Sequence, residues 1–192
     1  SAIRERSLQP VALPREMVGT LGLLLDEAFG PHAAWQQFAC FLALTRNFMV
    51  LSGGPGTGKT HTMARLAAIL LTADPRLRIR LAAPTGKAAN RMMESIRDAK
   101  RSLPACLGAG RHIPDHAETL HRLLSASADG SSFRRNRENP IEGDVVIVDE
   151  ASMIALPMMA TLLDALPANC RLILLGDMDQ LASVDPGAVL GD

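Results

Sequence analysis

The chain has 192 residues, 47% hydrophobic and 21% charged, and its twenty basic side chains balance twenty acidic ones. That composition argues for one well-cored domain and against disorder or a uniformly basic nucleic-acid coat, while leaving room for a local basic groove. Aromatic residues make up only 3%, with no Tyr, too few for a platform on which bases stack.

Residues 1–15 mix Pro10 and Pro14 with polar residues and read as a lead-in. Apolar spacing predicts a helix over 16–30 and another over 33–46, the second with Trp35, Phe38, Phe41 and Leu42 on one face. From there strands and helices alternate. The run 48–51 predicts a buried strand, 59–73 a helix, 78–83 a second strand ended by Pro84, and 86–102 an amphipathic helix. Residues 103–118 and 125–143 read as loops around a short helix at 119–124, and 125–143 is the segment expected to move. A third strand is predicted at 145–148, a helix at 157–166 and a fourth strand at 171–175. Strands that are apolar on both faces and alternate with helices predict an α/β fold, its mostly parallel sheet covered on both sides.

Cys40, Cys106 and Cys170 lie far apart, with no C-x-x-C pair, so reduced thiols are expected rather than a disulfide framework or a zinc site. No apolar run approaches the length of a membrane helix, and the charged start Ser1-Ala2-Ile3-Arg4 lacks the apolar core of a signal peptide. The missing initiator Met and the ending at Gly191-Asp192 are expected of a piece of something longer.

Four segments carry chemistry. Gly53-Gly54-Pro55-Gly56-Thr57-Gly58-Lys59-Thr60 fits G-x-x-x-x-G-K-[ST] and falls between a predicted strand and a predicted helix, the setting the motif requires. Glycines let amide N–H groups turn inward around an anion, and the helix start directs its positive end at the phosphates. Lys59 supplies a charge for the β and γ phosphates, and the Thr60 hydroxyl is placed to ligate Mg²⁺. His61 adjoins this nucleotide-binding set; as a lone histidine it is expected to bind or pack rather than to catalyse.

Asp149-Glu150 follow the 145–148 strand. Carboxyl ends of strands face the ligand crevice in a doubly wound sheet, so Asp149 is suited to hold Mg²⁺ and Glu150 to act as general base on the attacking water. After the fourth strand, Gly176-Asp177-Met178-Asp179-Gln180 again ends in polar residues, and Gln180 is suited to bond a γ-phosphate or the lytic water. The segment Ala83-Pro84-Thr85-Gly86-Lys87 opens the 86–102 helix. Thr85, the Gly86 N–H and Lys87 are candidates for a second anion, for which a nucleic-acid phosphate is the natural choice once a nucleotide site exists. Arg76, Arg78 and Arg80 upstream, and Arg91, Arg97, Lys100 and Arg101 downstream, make this region basic. The downstream charges read first as a solvated helix face, and Arg134, Arg135 and Arg137 as charges that keep a loop in water. His121 reads as a packing or surface residue.

In this order the motifs resemble superfamily 1 DNA helicases of the 5′→3′ branch, and within it the RecD family, the alpha subunits of exodeoxyribonuclease V (RecBCD). The resemblance rests on Trp35-Gln36, SGGPGTGKT (52–60), RLAAPTGKAANRM (80–92), TLHRLL (119–124), VVIVDEASMIALPMM (145–159) and LILLGDMDQLASVDPGAVLGD (172–192). It implies a first RecA-like P-loop NTPase motor domain over 33–192, preceded by a lead-in over 1–32 that holds a helix, with the family's second motor domain not in these residues. It implies ATP and Mg²⁺ as ligands, Gln36 as an adenine-reading glutamine, and movement along single-stranded DNA driven by ATP hydrolysis. RecB-like and RecC-like subunits, double-strand break repair and a cytoplasmic setting are implied with it. Because the family draws further charge-stabilising arginines from the second motor domain, these residues alone are expected to bind ATP yet hydrolyse it poorly. Two other readings stand beside this one: a helicase of the same branch that acts without such partners, and a nucleotide-responsive interaction module whose partner surface is 16–46.

Overall fold

The computed structural model describes residues 6, 10–11, 15–54, 56–128 and 132–177. Its strands are β1 (Phe48–Ser52), β2 (Ile79–Ala83), β3 (Glu118–Thr119), β4 (Val145–Val148) and β5 (Arg171–Gly176). Its helices are α1 (Arg15–Val18), α2 (Leu21–Phe29), α3 (Ala34–Thr45), α4 (Lys59–Ala73), α5 (Gly86–Arg101), α6 (Leu120–Leu123) and α7 (Leu156–Ala165), with 3₁₀ turns at Ala105–His112 and Ala151–Met153. The strands form one parallel sheet in the order β1-β5-β4-β2-β3.

The sheet is buried from both sides, and its side chains alternate between two cores as strand geometry requires. Val145 and Ile147 of β4, with Ile173 and Leu175 of β5, join the core under α2, α3, α4 and α5. Val146 and Val148, with Leu172 and Leu174, join the core under α6 and α7. Helix α4 is the pillar of the first core: every residue from Thr62 to Leu71 except Arg65 is buried, the mark of a helix enclosed on all sides. Helix α5 is instead amphipathic. It buries Ala88, Ala89, Met92, Met93, Ile96 and Ala99, and its start is capped by the Thr85 hydroxyl, which accepts from the Ala88 N–H at 3.2 Å.

Several expectations are corrected. The 16–30 helix is two pieces, α1 and α2, with Gly19 and Thr20 between them; glycine weakens a helix interior at that point. The aromatic face of α3 does not enter the core: Trp35, Phe38 and Phe41 are 82%, 53% and 43% exposed. The buried side carries Cys40, Ala43 and Leu44, whose mostly small side chains allow close packing on α4. The 103–118 segment holds the longer 3₁₀ turn, with Leu107 and Ile113 in the core, and the edge strand β3. A two-residue strand has no periodicity to read.

The described part of 125–143 is tied down by an Ala126–Phe133 bridge, by the Ser127 N–H donating to Ser132 O at 2.9 Å, and by Arg135 Nη1 donating to Pro140 O at 2.9 Å. Arg135 also pairs with Glu142 at 3.3 Å and Arg137 with Asp164 at 3.6 Å, in keeping with arginines that serve the loop itself. Arg76 and Arg78 precede β2, at the edge of the sheet away from the Thr85–Lys87 loop, and pair with Asp74 and Asp144; Arg80 pairs with Glu118 of β3. The upstream arginines therefore belong to the fold rather than to an anion surface. No helix among the described residues is long and apolar enough to cross a membrane.

Candidate functional site

The strand order assembles the site. Ser52 of β1 is in register with Gly176 of β5, and Val148 of β4 with Leu174. The glycine-rich loop after β1 and the acids after β4 therefore leave the same edge of the sheet, two strand spacings or about 10 Å apart. The Gly53 N–H donates to Gly176 O at 3.2 Å, fastening the loop to the end of β5.

Local chemistry shapes the loop. A Cβ on Gly53 would fall 2.8 Å from Thr57 Oγ1, so any larger residue there would displace the Thr57 hydroxyl from its place in the loop. Gly56 and Gly58 have φ of +76° and +81°, and Gly58 is the N-cap of α4. Thr57 Oγ1 donates to Gly54 O at 2.8 Å. Lys59 Nζ donates to Gly54 O at 2.9 Å and also to Gly53 O, which holds the ammonium inside the curve of its own loop.

Across the cleft, Asp149 is anchored through its N–H, which donates to Ala82 O at 2.9 Å, and its Oδ1 accepts from the Glu150 N–H at 2.9 Å. Burial raises the Asp149 carboxyl above its ordinary value; the Glu150 N–H and the Lys59 charge work against that rise, and the Glu150 charge adds to it. Glu150 stands at φ +54°, one of two non-glycine residues with positive φ among those described. A left-handed residue held in place beside a cleft is where functional strain is found.

Together these groups enclose a cleft of about 400 Å³, lined by Gly54, residues 56–60, His61, Asp149 and Glu150, and by Ser95 and Asp98 of α5. Ser95 and Asp98 were not singled out from the sequence. The amphipathic pattern of 86–102 marks them as lying off the buried face, but the tilt that brings that face to the cleft is tertiary. Gln36 lies half-buried on α3 and is not among the cleft-lining residues. Its neighbour Gln37 ties α3 to α2, donating to Asp26 Oδ1 at 3.0 Å and Gly30 O at 2.9 Å. Pro55 and Gln180 lie outside the described residues.

Oxygen donors dominate the part of the cleft formed by Thr60, Asp149 and Glu150. The described residues hold no group of three or more His, Cys, Asp or Glu that could cage a metal, while Thr60 and Asp149 line one cleft. One hydroxyl and one carboxylate suit Mg²⁺, which completes its shell with water and phosphate oxygens rather than a protein cage.

Thr85, Gly86 and Lys87 are exposed where β2 gives way to α5. Beside them, Thr119 is in register with Ala83 and caps α6, its hydroxyl accepting from the Arg122 N–H at 3.3 Å. Two threonine-capped helix starts thus share this end of the sheet. His121 is exposed, with its ring centroid 5.9 Å from that of Phe133, a packing contact.

Comparisons with known proteins agree with this arrangement. The profile of a family described as AAA domain matches residues 36–186. The RecBCD enzyme subunit RecD of Haemophilus influenzae is 48% identical over 163 residues, 82% of this chain and 26% of that protein. The ATP-dependent RecD2 DNA helicase of Deinococcus radiodurans is 42% identical over 142 residues, 74% of this chain and 17% of that protein. The chain thus spans roughly a quarter or less of the length of these relatives. Among solved structures, the UvsW helicase of bacteriophage T4 has a TM-score of 0.58 at 15% identity, over 88% of this chain and 61% of that one; that likeness is one of fold. The fold is the RecA-like α/β arrangement of a P-loop domain.

Proposed function

This chain belongs to the AAA-domain family and is homologous to RecD along 82% of its length, and we propose on that premise that it is a RecD-like superfamily 1 helicase motor domain. Residues 33–192 form the motor domain and 1–32 its lead-in. In this reading ATP hydrolysis drives translocation on single-stranded DNA, and RecB-like and RecC-like subunits are the protein partners.

The residues divide the work by chemistry. Amides of Gly54, Gly56, Thr57 and Gly58, with the Lys59 ammonium, hold the phosphates; Gly53, its N–H tied to Gly176, opens the loop, and His61 borders it. Gln36 reads the adenine. Thr60 and Asp149 would hold Mg²⁺, which would supply positive charge to offset that of the phosphates. Glu150 takes the proton of the attacking water, and Gln180 bonds the γ-phosphate. Thr85, Gly86 and Lys87 contact DNA phosphates. The observation that carries this reading is the cleft that gathers Lys59 and Thr60 with Asp149 and Glu150.

The test is ATPase activity of the full-length polypeptide that contains this chain, with and without single-stranded DNA. Lys59→Gln is expected to lower DNA-stimulated turnover by about 100-fold or more, the scale of removing a group aimed at transition-state charge. Wild-type turnover in that variant contradicts the reading. The outward Trp35, Phe38 and Phe41 face favours a second reading, an interaction module that uses ATP as a switch. The same variant separates the two: a motor keeps its subunit assembly, and a switch loses it.

A further inference from the structure

A cavity of about 500 Å³ lies at the amino edge of the sheet, away from the nucleotide cleft. Arg171 opens β5 there, in register with Val145. Strand alternation puts its side chain on the face of Ile173 and Leu175, the side covered by α4. Asn169, Val11 and Leu77 share the cavity wall with it. The other charges of this edge are already committed. Asp144, on the wall, accepts from the Arg78 N–H and guanidinium through both carboxylate oxygens. Asp74, also on the wall, accepts from the Arg76 N–H at 3.0 Å and from Arg76 Nε at 3.3 Å. Arg6 gives its guanidinium to three backbone carbonyls. Arg171 differs. It is half-buried, and among the described residues its guanidinium makes no hydrogen bond and no ion pair. Burial lowers its ionisation from the ordinary value, and no carboxylate raises it. The Asn169 amide, exposed in the turn before β5, is likewise unengaged among the described residues.

A half-desolvated cation without a counter-charge is unfavourable, and an anion that enters the cavity relieves it. A planar guanidinium with an amide donor nearby matches the two oxygens of a carboxylate. The charge balance selects the same group. Asp74 and Asp144 on the wall disfavour a dianion such as phosphate, whereas one unpaired guanidinium offsets a single negative charge. Val11 and Leu77 are half-buried and offer apolar surface to the methylenes that carry such a carboxylate. We propose that this cavity binds a carboxylate on a short aliphatic stem, with Arg171 and Asn169 as its ligands. An acidic side chain of a partner protein and a free small carboxylate share that chemistry. The site stands on its own residues, at the edge opposite the nucleotide cleft, and goes beyond the nucleotide and DNA reading above.

The experiment is saturation-transfer NMR on the full-length polypeptide that contains this chain. The probes come in pairs: a tripeptide blocked at both ends with a central glutamate, against its glutamine counterpart, and butyrate against butyramide. A carboxylate probe is expected to bind about tenfold or more tightly than its amide, the scale of a hydrogen bond to a charged group. A glutamate tripeptide that outbinds butyrate identifies a protein segment as the source, and butyrate binding alone identifies a free carboxylate; either result supports the site. Arg171→Gln is expected to remove that preference and to leave the urea midpoint no lower than the wild type, since an unpaired desolvated charge is lost. Asn169→Asp alters only an exposed turn residue and sets a competing carboxylate beside an intact guanidinium. It is expected to weaken the carboxylate probe about tenfold or more, which keeps the test decisive if Arg171→Gln does not fold. The proposal is overturned if neither carboxylate outbinds its amide, or if the preference survives in these variants. Inorganic phosphate that displaces the probe at a lower concentration than butyrate overturns the choice of carboxylate.

Discussion

The two edges of the sheet treat charge in opposite ways. At the amino edge, Asp144 accepts from the Arg78 N–H at 2.8 Å and from the Arg78 guanidinium at 3.1 Å through each oxygen, and these bonds hold its carboxyl below the ordinary range. Asp74 is lowered likewise, first by the Arg76 N–H and then by its side chain. Arg6 is buried and donates to the carbonyls of Cys170, Leu166 and Pro167 at 3.0, 2.9 and 2.9 Å. At the carboxyl edge, burial raises Asp149, and Glu150 sits in a left-handed conformation. Arg171 apart, one edge satisfies its charges and fastens the fold. The other keeps charge desolvated and backbone strained, the usual compromise of stability where a site is held ready.

The largest way to break that contrast is at Arg6. Arg6→Ala removes one donor group from three carbonyls and is expected to cost about 2–3 kcal/mol in denaturant unfolding, the scale of a lost charged hydrogen-bond network. A loss no greater than that of an exposed arginine contradicts its role as a clamp.

Next come the two acids, whose substitutions should differ in sign. Asp149→Asn is expected to stabilise the ligand-free chain by about 1 kcal/mol at neutral pH, because a desolvated charge is removed. Asp144→Asn is expected to destabilise it by roughly 1 kcal/mol or less, as its pair is half-exposed. Their pH windows differ as well. With its carboxyl raised in the folded state, Asp149 contributes stability that is fully present below the ordinary carboxylate value and lost as pH rises through the raised one. Asp144, lowered in the folded state, contributes stability that is present above the ordinary value and lost as pH falls through the lowered one. Urea midpoints across the acid range check both: Asp149→Asn flattens the profile above the ordinary value, and Asp144→Asn flattens it below. Matching signs for the two variants contradict the contrast between the edges.

A smaller effect sharpens it through the thiols. Burial pushes Cys40 and Cys170 up to about 12, while Cys106 is only part-buried. Alkylation followed by mass spectrometry is expected to modify Cys106 first and to reach the other two at the rate of unfolding. Early modification of Cys170, beside the Arg6 clamp, contradicts a closed amino edge.

The carboxyl edge was the more legible of the two in sequence. Its loop sets Gly53 in a close approach and Gly56 and Gly58 at positive φ, and lysine and threonine are the residue types the proposed phosphate and cation call for, so local residues carry the proposed chemistry directly. The all-apolar runs of β4 and β5 likewise announced a sheet covered on both sides. The amino edge was hidden because its bonds join residues distant in sequence: Arg6 meets Cys170, and Arg78 meets Asp144. Periodicity carried no such information, and the upstream arginines looked like part of an anion surface. The outward turn of Trp35 was hidden for a related reason. Both faces of 33–46 hold apolar residues, and only the fit of Cys40, Ala43 and Leu44 to the core decides which side is buried.

The central claim is that Lys59 and Asp149 serve one polyphosphate from two strands. It is tested most directly by the affinity of the chain for a fluorescent ATP analogue, with Mg²⁺ and with chelator, in the wild type, Lys59→Gln and Asp149→Asn. Lys59→Gln is expected to weaken binding by about tenfold or more in both conditions, the scale of a charge-assisted hydrogen bond. Asp149→Asn should weaken binding only when Mg²⁺ is present. Wild-type affinity in Lys59→Gln, or a Mg²⁺ dependence untouched by Asp149→Asn, contradicts it.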